Sequence, residues 1–378
     1  MELSAAKAWV KGQEVAAIQL LSSLSEINSW SYNPQGIQKI RTEILKVFSP
    51  LNSFQEELET VLKFSKRMDA SKKVLLGGHL DTVHASDSPF QACIETEDNL
   101  IGPGVTDMKG GLVALLIALE AFEQCDGCEK IGWQVLISSD EEIGSQGSLQ
   151  AWQEAAKQSH IALLFEPSYP DGSFVSERMG SYNVMAEFKG RKAHAGRDFS
   201  DGRSANRAMA EWIYTAFREG EKIKGLQINA GEVKGGHAIN VIPSDAFCKM
   251  NFRSFNAGDL SQFFQLLQSA GKEISEAQDV EVKVDLLNFK PPKNFSSDTK
   301  RLFASLEKAA SALNQPFKTV ATGGVCDGNT LQACGVPTID TMGVIGGKIH
   351  TNEEYMVKKS LIERALLTLE LLWNYAHE

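Results

Sequence analysis

No long apolar run exists in this 378-residue chain: the longest, Leu112–Leu119 (LVALLIAL), falls far short of the ~20 residues that a bilayer span needs. The opening stretch MELSAAKAWVKGQEVAAIQLL scatters acids, lysines and Gln among its apolar residues and so lacks the continuous core of a signal peptide. A soluble, cytoplasmic protein with no membrane partner is expected. Basic residues are also short: 38 Lys and Arg stand against 48 Asp and Glu, a formal charge of −10. Without clustered cations to neutralise phosphates, nucleic acid is excluded as a partner, though a few local arginines could hold a small anion. Cysteine is sparse, six in all, and only Cys125 and Cys128 (CDGC) have metal-like spacing. A zinc ribbon needs a second such pair, so reduced structural thiols are expected, with a redox or metal role for this pair as the alternative. Nor is there a Gly-x-Ser-x-Gly nucleophile turn or the Gly-Lys-Ser/Thr ending of a phosphate loop.

What is present is an ordinary globular composition, 43% apolar and 23% charged, long enough for two or three domains, of which two is favoured. KKVLLGGH reads as a buried strand, MKGGLVALLIALEAFEQ as a helix with a broad apolar face, and IGWQVLISSDEE as a strand ending in charge. SLQAWQEAAKQ and IALLFEP repeat the unit, and TKRLFASLEKAASALN, FKTVATGG, PTIDTMGV and KSLIERALLTLELLWNYA resume it after residue 297. The order predicts an α/β fold with a mixed, mainly parallel sheet flanked by helices. Turn-rich PSYPDGS and FKPPKNFSS mark crossings into a middle third with β-α-β-β-α-β order, a ferredoxin-like α+β unit. The expected division is a first α/β part over 1–174, an inserted domain over 175–290 and a second α/β part over 291–378.

The His, Asp and Glu residues of GGHLD, GPGVTDMKGG, SSDEEIGSQG, LLFEP and GKIHTNEEY fall at predicted strand ends or in the turns beside them. Any one group is ordinarily a capped turn or a solvated loop. Five converging on one rim of one sheet would form a metal site of His and carboxylate donors. His79 and Asp81 share a strand face, so Asp81 can hold the imidazole in one tautomer, or it can simply start a turn. Glu141 and Glu142 suit a division between metal ligand and proton carrier, although acid pairs in loops are common. Asp107, at the start of a helix among small residues, fits a carboxylate bridging two metals better than a phosphate loop.

The ordered series GGHLDTV, GPGVTDMKGG, SSDEEIGSQGS, FEP, GRKAHAG, GGHAINVIP, NFRS, GGVCDGN and GGKIHTNEEY resembles the motifs of the di-zinc peptidase and amidohydrolase family. That family includes glutamate carboxypeptidase, acetylornithine deacetylase, succinyl-diaminopimelate desuccinylase and aminoacylase. The resemblance implies a phosphorylase/hydrolase-like catalytic domain with an inserted dimerisation domain, and a homodimer. It implies two Zn2+ per subunit, with Co2+ or Mn2+ also suited to such donors. His79, Asp107 and Glu166 would surround one ion, and Asp107, Glu142 and His350 the other. Glu141 would be general base and acid, Asp81 the partner that orients His79, and His194 an oxyanion stabiliser reaching the neighbouring subunit's site. Asn240 and Arg253 would hold the substrate.

The departures are Cys326, where the family usually has Ser or Thr, and His237, at a variable place. His84, His160 and His237 match no functional position and are expected to be surface or satisfied histidines. The implied activity is zinc-dependent cleavage of an amide or peptide bond next to a free carboxylate, as in glutamate carboxypeptidase. The substrate would be a short peptide or N-acyl amino acid. An N-acyl amino-acid deacylase is the alternative, and a catalytically silent metal- or peptide-binding relative a remote one.

Overall fold

A computed structural model describes residues 1–378 and divides into two compact units. The first comprises Met1–Ser176, Phe295–Ala321 and Cys326–Glu378; the second comprises Glu177–Asn294 with Thr322–Val325.

In the first unit a six-stranded sheet runs in the order Phe54–Glu57, Val61–Lys66, Ile131–Ser138, Lys72–His79, Ile161–Leu164, Thr338–Ile339. The first two junctions are antiparallel and the remaining three parallel, so the sheet is mixed and mainly parallel as expected. Its central strands carry apolar residues on both faces, and Ile131–Ser138 is buried throughout, as strands covered by helices on both sides must be. Helix Lys109–Phe122 is apolar on nearly all sides because it packs between strand Lys72–His79 and the helices Leu3–Lys11, Glu14–Ser25 and Lys358–His377. Truncating its fully buried Leu115 to Ala costs about 2–5 kcal/mol by the cavity rule. Gly111 lets this helix approach the sheet: a Cβ there would sit 2.1 Å from the Phe165 carbonyl oxygen. No helix is long and apolar enough to cross a membrane.

Two features differ from the expectation. Strand Thr319–Thr322 pairs with Phe174–Arg178 in a separate two-stranded sheet instead of extending the central one. A further antiparallel sheet joins Gly346–Gly347, Tyr355–Val357, Asn99–Ile101 and Ile94–Glu95. Strands of two or three residues are too short to show a period of two in the sequence.

The second unit has the order Gly180–Lys189, Ala205–Gly220, Gln227–Gly235, Asp245–Ser254, Ala257–Gln278, Glu281–Lys290. Its sheet is antiparallel throughout, with strand Asp245–Ser254 between Gln227–Gly235 and Gly180–Lys189, and Glu281–Lys290 on the far edge. This is the ferredoxin-like arrangement. Val184, Phe188, Phe252, Trp212 and Phe263 fill one core, where the Trp212 indole N–H donates to the Leu267 carbonyl at 2.9 Å. Ser204 and Asn256 cap the two helices, accepting the N–H groups of Arg207 and Gly258.

Candidate metal centre

The central sheet delivers three of the predicted ligands. His79 ends its strand, Glu142 lies in the 3-10 turn Glu141–Ile143 beyond strand Ile131–Ser138, and Glu166 follows strand Ile161–Leu164. These strands are parallel neighbours, so their carboxyl ends share one edge. Asp107 and His350 come instead from loops of the small antiparallel sheet, one after Asn99–Ile101 and one between Gly346–Gly347 and Tyr355–Val357. The expectation of one rim of one sheet is corrected: the site forms where two sheets present their loops.

His79 Nε2 lies 3.2 Å from Asp107 Oδ1 and 3.7 Å from Glu166 Oε2. His350 Nε2 lies 3.3 Å from Asp107 Oδ2 and 3.3 Å from Glu142 Oε2. Within each trio the potential ligand atoms lie within 4.8 Å of one another. Asp107 thus gives one oxygen to each trio, the disposition of a bridging carboxylate. Imidazole nitrogens with carboxylate oxygens suit Zn2+ and its first-row neighbours. The His79 trio is buried, whereas the His350 side chain is 50% exposed and marks the open side. His350 holds φ 63, an uncommon conformation for a residue with a Cβ, within a turn where the Thr351 N–H donates to the Lys348 carbonyl at 3.2 Å.

Burial opposes charge on His79, but hydrogen bonds to Asp107, Asp81 and Glu166 overcome it and hold the imidazole pKa well above its usual value. Burial likewise pushes Asp107 up, and the two histidines outweigh it, holding this carboxylate far below its ordinary range. Asp107 and Glu142 drive His350 up to about 10. Because a ligating imidazole nitrogen must be unprotonated, a cation at either trio competes with protons for these nitrogens.

His79 Nδ1 is 3.0 Å from the Asp81 carbonyl oxygen and 3.4 Å from Asp81 Oδ1, so its N–H is directed mainly to the main chain and Nε2 faces the trio. The fully buried Asp81 carboxylate also accepts the N–H of Glu141 on Oδ1 at 3.2 Å, and on Oδ2 the N–H of Glu142 at 3.2 Å and the Ser31 hydroxyl at 2.8 Å. Asp81 therefore anchors the Glu141–Glu142 turn as well as the imidazole.

Sequence reasoning passed over Ser31, Lys109 and Glu354, and expected of His84 only a surface or satisfied histidine. Lys109, 2% exposed, donates through Nζ to the Leu24 and Ile27 carbonyls, and burial lowers its pKa to about 8. His84 Nε2 is 2.9 Å from Glu354 Oε2, so it is a satisfied buried histidine. His160 accepts the Lys73 N–H at 3.0 Å, and His237 is exposed. The thiols of Cys125 and Cys128 face the carbonyls of Ala121 and Glu123, burial raises both their pKa values, and neither belongs to a metal-holding group. Cys326 takes the helix-cap role that a hydroxyl would fill: its sulfur accepts the Gly328 N–H at 3.3 Å while Asn329 Oδ1 accepts the Cys326 N–H at 3.1 Å.

In the second unit, Ala193–His194 pairs with Val241–Ile242, and the Ala195 N–H donates to the Asn240 carbonyl at 2.9 Å. The KAHAG and INVIP motifs thereby come side by side, with His194 and Asn240 both exposed. His194 Nδ1 accepts the N–H groups of Gly196 and Arg197 at 3.1 and 3.2 Å, which leaves the proton of a neutral ring on Nε2. Arg253 donates through Nε to Asn251 Oδ1 at 2.9 Å and through Nη1 to the Gly323 carbonyl at 2.6 Å.

Residues 75–374 match the profile of Peptidase family M20/M25/M40. Carboxypeptidase G2 of Pseudomonas sp. (strain RS-16) is 28% identical over 301 residues, covering 78% of this chain and 72% of that protein. Succinyl-diaminopimelate desuccinylase 2 of Shewanella loihica is 26% identical over 320 residues, 78% of this chain and 84% of that one. Among solved structures, an M20 family metallo-carboxypeptidase from Sulfolobus solfataricus superposes with TM-score 0.76 at 16% identity, covering 96% of this chain and 99% of that one. From the strand that carries His79 to the last helix, the chain belongs to Peptidase family M20/M25/M40 and is a hydrolase of peptide or amide bonds.

Proposed function

We propose that the protein is a carboxypeptidase-like enzyme of the glutamate carboxypeptidase type, cleaving an amide whose leaving amino acid bears a free carboxylate. Metal-dependent hydrolysis is supported by Asp107, whose two oxygens face two separate histidine-carboxylate trios, and the carboxypeptidase type by the 28% identity to carboxypeptidase G2 over 78% of this chain. His79, Asp107 and Glu166 would hold one Zn2+, and Asp107, Glu142 and His350 a second, with Co2+ or Mn2+ suited to the same donors. When bound, such ions supply Lewis acidity, which acidifies water and polarises a carbonyl oxygen. Glu141 removes the proton from the attacking water and returns it to the leaving nitrogen. Asp81 holds the turn that aims Glu141. His194 donates its Nε2 proton to the oxyanion, acting from the partner subunit of a homodimer, as the family resemblance implies. Arg253 and Asn240 bind the substrate carboxylate, for which a guanidinium offers a matched planar fork. A cytoplasmic location accords with six thiols, none of them in a disulfide.

An N-acyl amino-acid deacylase is the second reading, favoured by the match to a desuccinylase over 84% of that protein. A hydrolysis screen across dipeptides ending in Glu, Asp or a neutral residue, and across N-acetyl and N-succinyl amino acids, separates the two. Turnover highest on the dipeptides ending in Glu or Asp supports the carboxypeptidase reading; turnover confined to the N-acyl amino acids replaces it with the deacylase.

A further inference from the structure

We infer that Glu354, braced by His84, is a positioning residue that sets the relation between the two ligand trios by locking the Asp107 loop to the His350 turn. The inference rests on the two-ion reading above, and concerns residues outside both trios.

Glu354 is 1% exposed. Its Oε1 accepts the N–H of Thr106 at 2.9 Å and of Asp107 at 3.0 Å. Oε2 accepts the N–H of Gly104 at 3.1 Å and faces His84 Nε2 at 2.9 Å. One carboxylate therefore gathers the turn that presents Asp107, and the main chain reinforces it. The Gly102 N–H donates to the Glu354 carbonyl at 3.1 Å, and the Thr106 hydroxyl to the Tyr355 carbonyl at 2.6 Å. Gly104 sits at φ +72, where a Cβ would also meet Thr82 at 2.9 Å, so the loop is held close. On the other side, the Glu354 N–H closes the His350 turn on the Thr351 carbonyl at 3.2 Å. His84 is itself anchored, its carbonyl accepting Asn28 Nδ2 at 2.9 Å and its ring packing edge-on against Phe90.

The amide of Glu354→Gln cannot reproduce this. Four donors converge on two acceptor oxygens, so either orientation of the amide turns an NH2 toward a buried main-chain N–H and leaves it unpaired. Asp107 is one of the residues whose N–H is held, and each of its oxygens serves a different trio, so a small rotation is felt at both. The effect is unequal. His79 and Glu166 are fixed at the ends of buried strands, whereas His350 shares its half-exposed turn with Glu354 itself. The trio Asp107, Glu142 and His350 should loosen first.

The test is Co2+ titration of the full-length protein against a competing chelator, with the visible spectrum of bound Co2+ as a second reading. Wild type takes up two Co2+, and Glu354→Gln binds one only slightly more weakly but the second about 10–100-fold more weakly, the usual cost of a lost outer partner. His84→Gln, which keeps the three main-chain bonds, shows a smaller weakening of the same ion. Leu115→Ala, a core variant that lowers thermal stability, and Glu353→Gln, at an exposed neighbour, leave both affinities unchanged. Should Glu354→Gln not fold, His84→Gln decides: a weakened second ion supports the inference and an unchanged one overturns it. Two Co2+ bound by Glu354→Gln with wild-type affinity and spectrum overturns the inference alone. A wild type that binds fewer than two overturns the two-ion reading and the inference with it.

Discussion

The side-chain carboxylate of Asp81 accepts the main-chain N–H of Glu142 at 3.2 Å, tying the loop after His79 to the turn of two glutamates. Since Oδ1 takes the adjacent Glu141 N–H, both carboxylate oxygens aim the turn. Asp81→Asn, which leaves one acceptor and introduces an NH2, should lower kcat by about 10–100-fold and weaken zinc binding at the trio that contains Glu142, with little change in KM. Steady-state kinetics with metal analysis checks it. An unaltered kcat would show that the turn holds itself.

Arg253 is braced on two sides, and burial is what lowers its pKa, with no carboxylate contributing. As the receptor for a substrate carboxylate it should not tolerate Lys, which lacks the planar fork. Arg253→Lys should reduce kcat/KM by about 2–3 kcal/mol on a substrate with a free carboxylate, the scale of a charged hydrogen-bonded pair. The same substrate amidated should be affected little. Equal losses on both would remove Arg253 from carboxylate recognition.

How far the site could be read from sequence follows from how local its signals are. KKVLLGGH announces a buried strand with His79 at its end, and each of the other four ligands lies in a short motif of its own. The supports are not local. Ser31 reaches Asp81 across 50 positions and His84 meets Glu354 across 270, so no periodicity joins them. Glu353 and Glu354 look alike in NEEY, yet one pairs with Lys348 at the surface while the other is buried under four donors. Only the fold distinguishes them. The small sheet that supplies Asp107 and His350 was missed for a related reason, since its strands are shorter than the window in which alternation shows.

His194 is exposed and its Nδ1 is occupied by two main-chain N–H groups, leaving Nε2 as the donor. If it serves the partner subunit's site, mixing Glu141→Gln with His194→Ala subunits should restore activity through heterodimers that contain one intact site. Each variant alone should be nearly inactive. No recovery after verified subunit exchange would mean that each chain uses its own His194.

Glu123 gives a pH signature far from the reacting groups. Burial alone would push its carboxyl up, but Arg67, Lys66 and the Trp133 indole N–H outweigh it and hold the pKa below the ordinary value. Just below the ordinary glutamate value, ~4.3, the unfolded chain therefore binds more protons than the folded one. The stability Glu123 contributes is complete above that value and is lost as pH falls through the folded pKa. Glu123→Gln should be less stable than wild type at pH 7 by on the order of 1–3 kcal/mol, with the gap closing below about pH 4. Denaturant melts across this range check it. A gap that stays constant to pH 3, or is absent at pH 7, would contradict the assignment.

The most direct measurement is zinc titration of the chelator-stripped enzyme, following bound metal and amide hydrolysis together. Asp107 facing both trios predicts that hydrolysis is absent after stripping and returns as two Zn2+ bind. Asp107→Ala should lose both ions together, and Glu141→Gln should bind both yet stay nearly inactive, because only the proton carrier is gone. Full hydrolysis by the stripped protein, or two tightly bound Zn2+ in Asp107→Ala, would contradict the account.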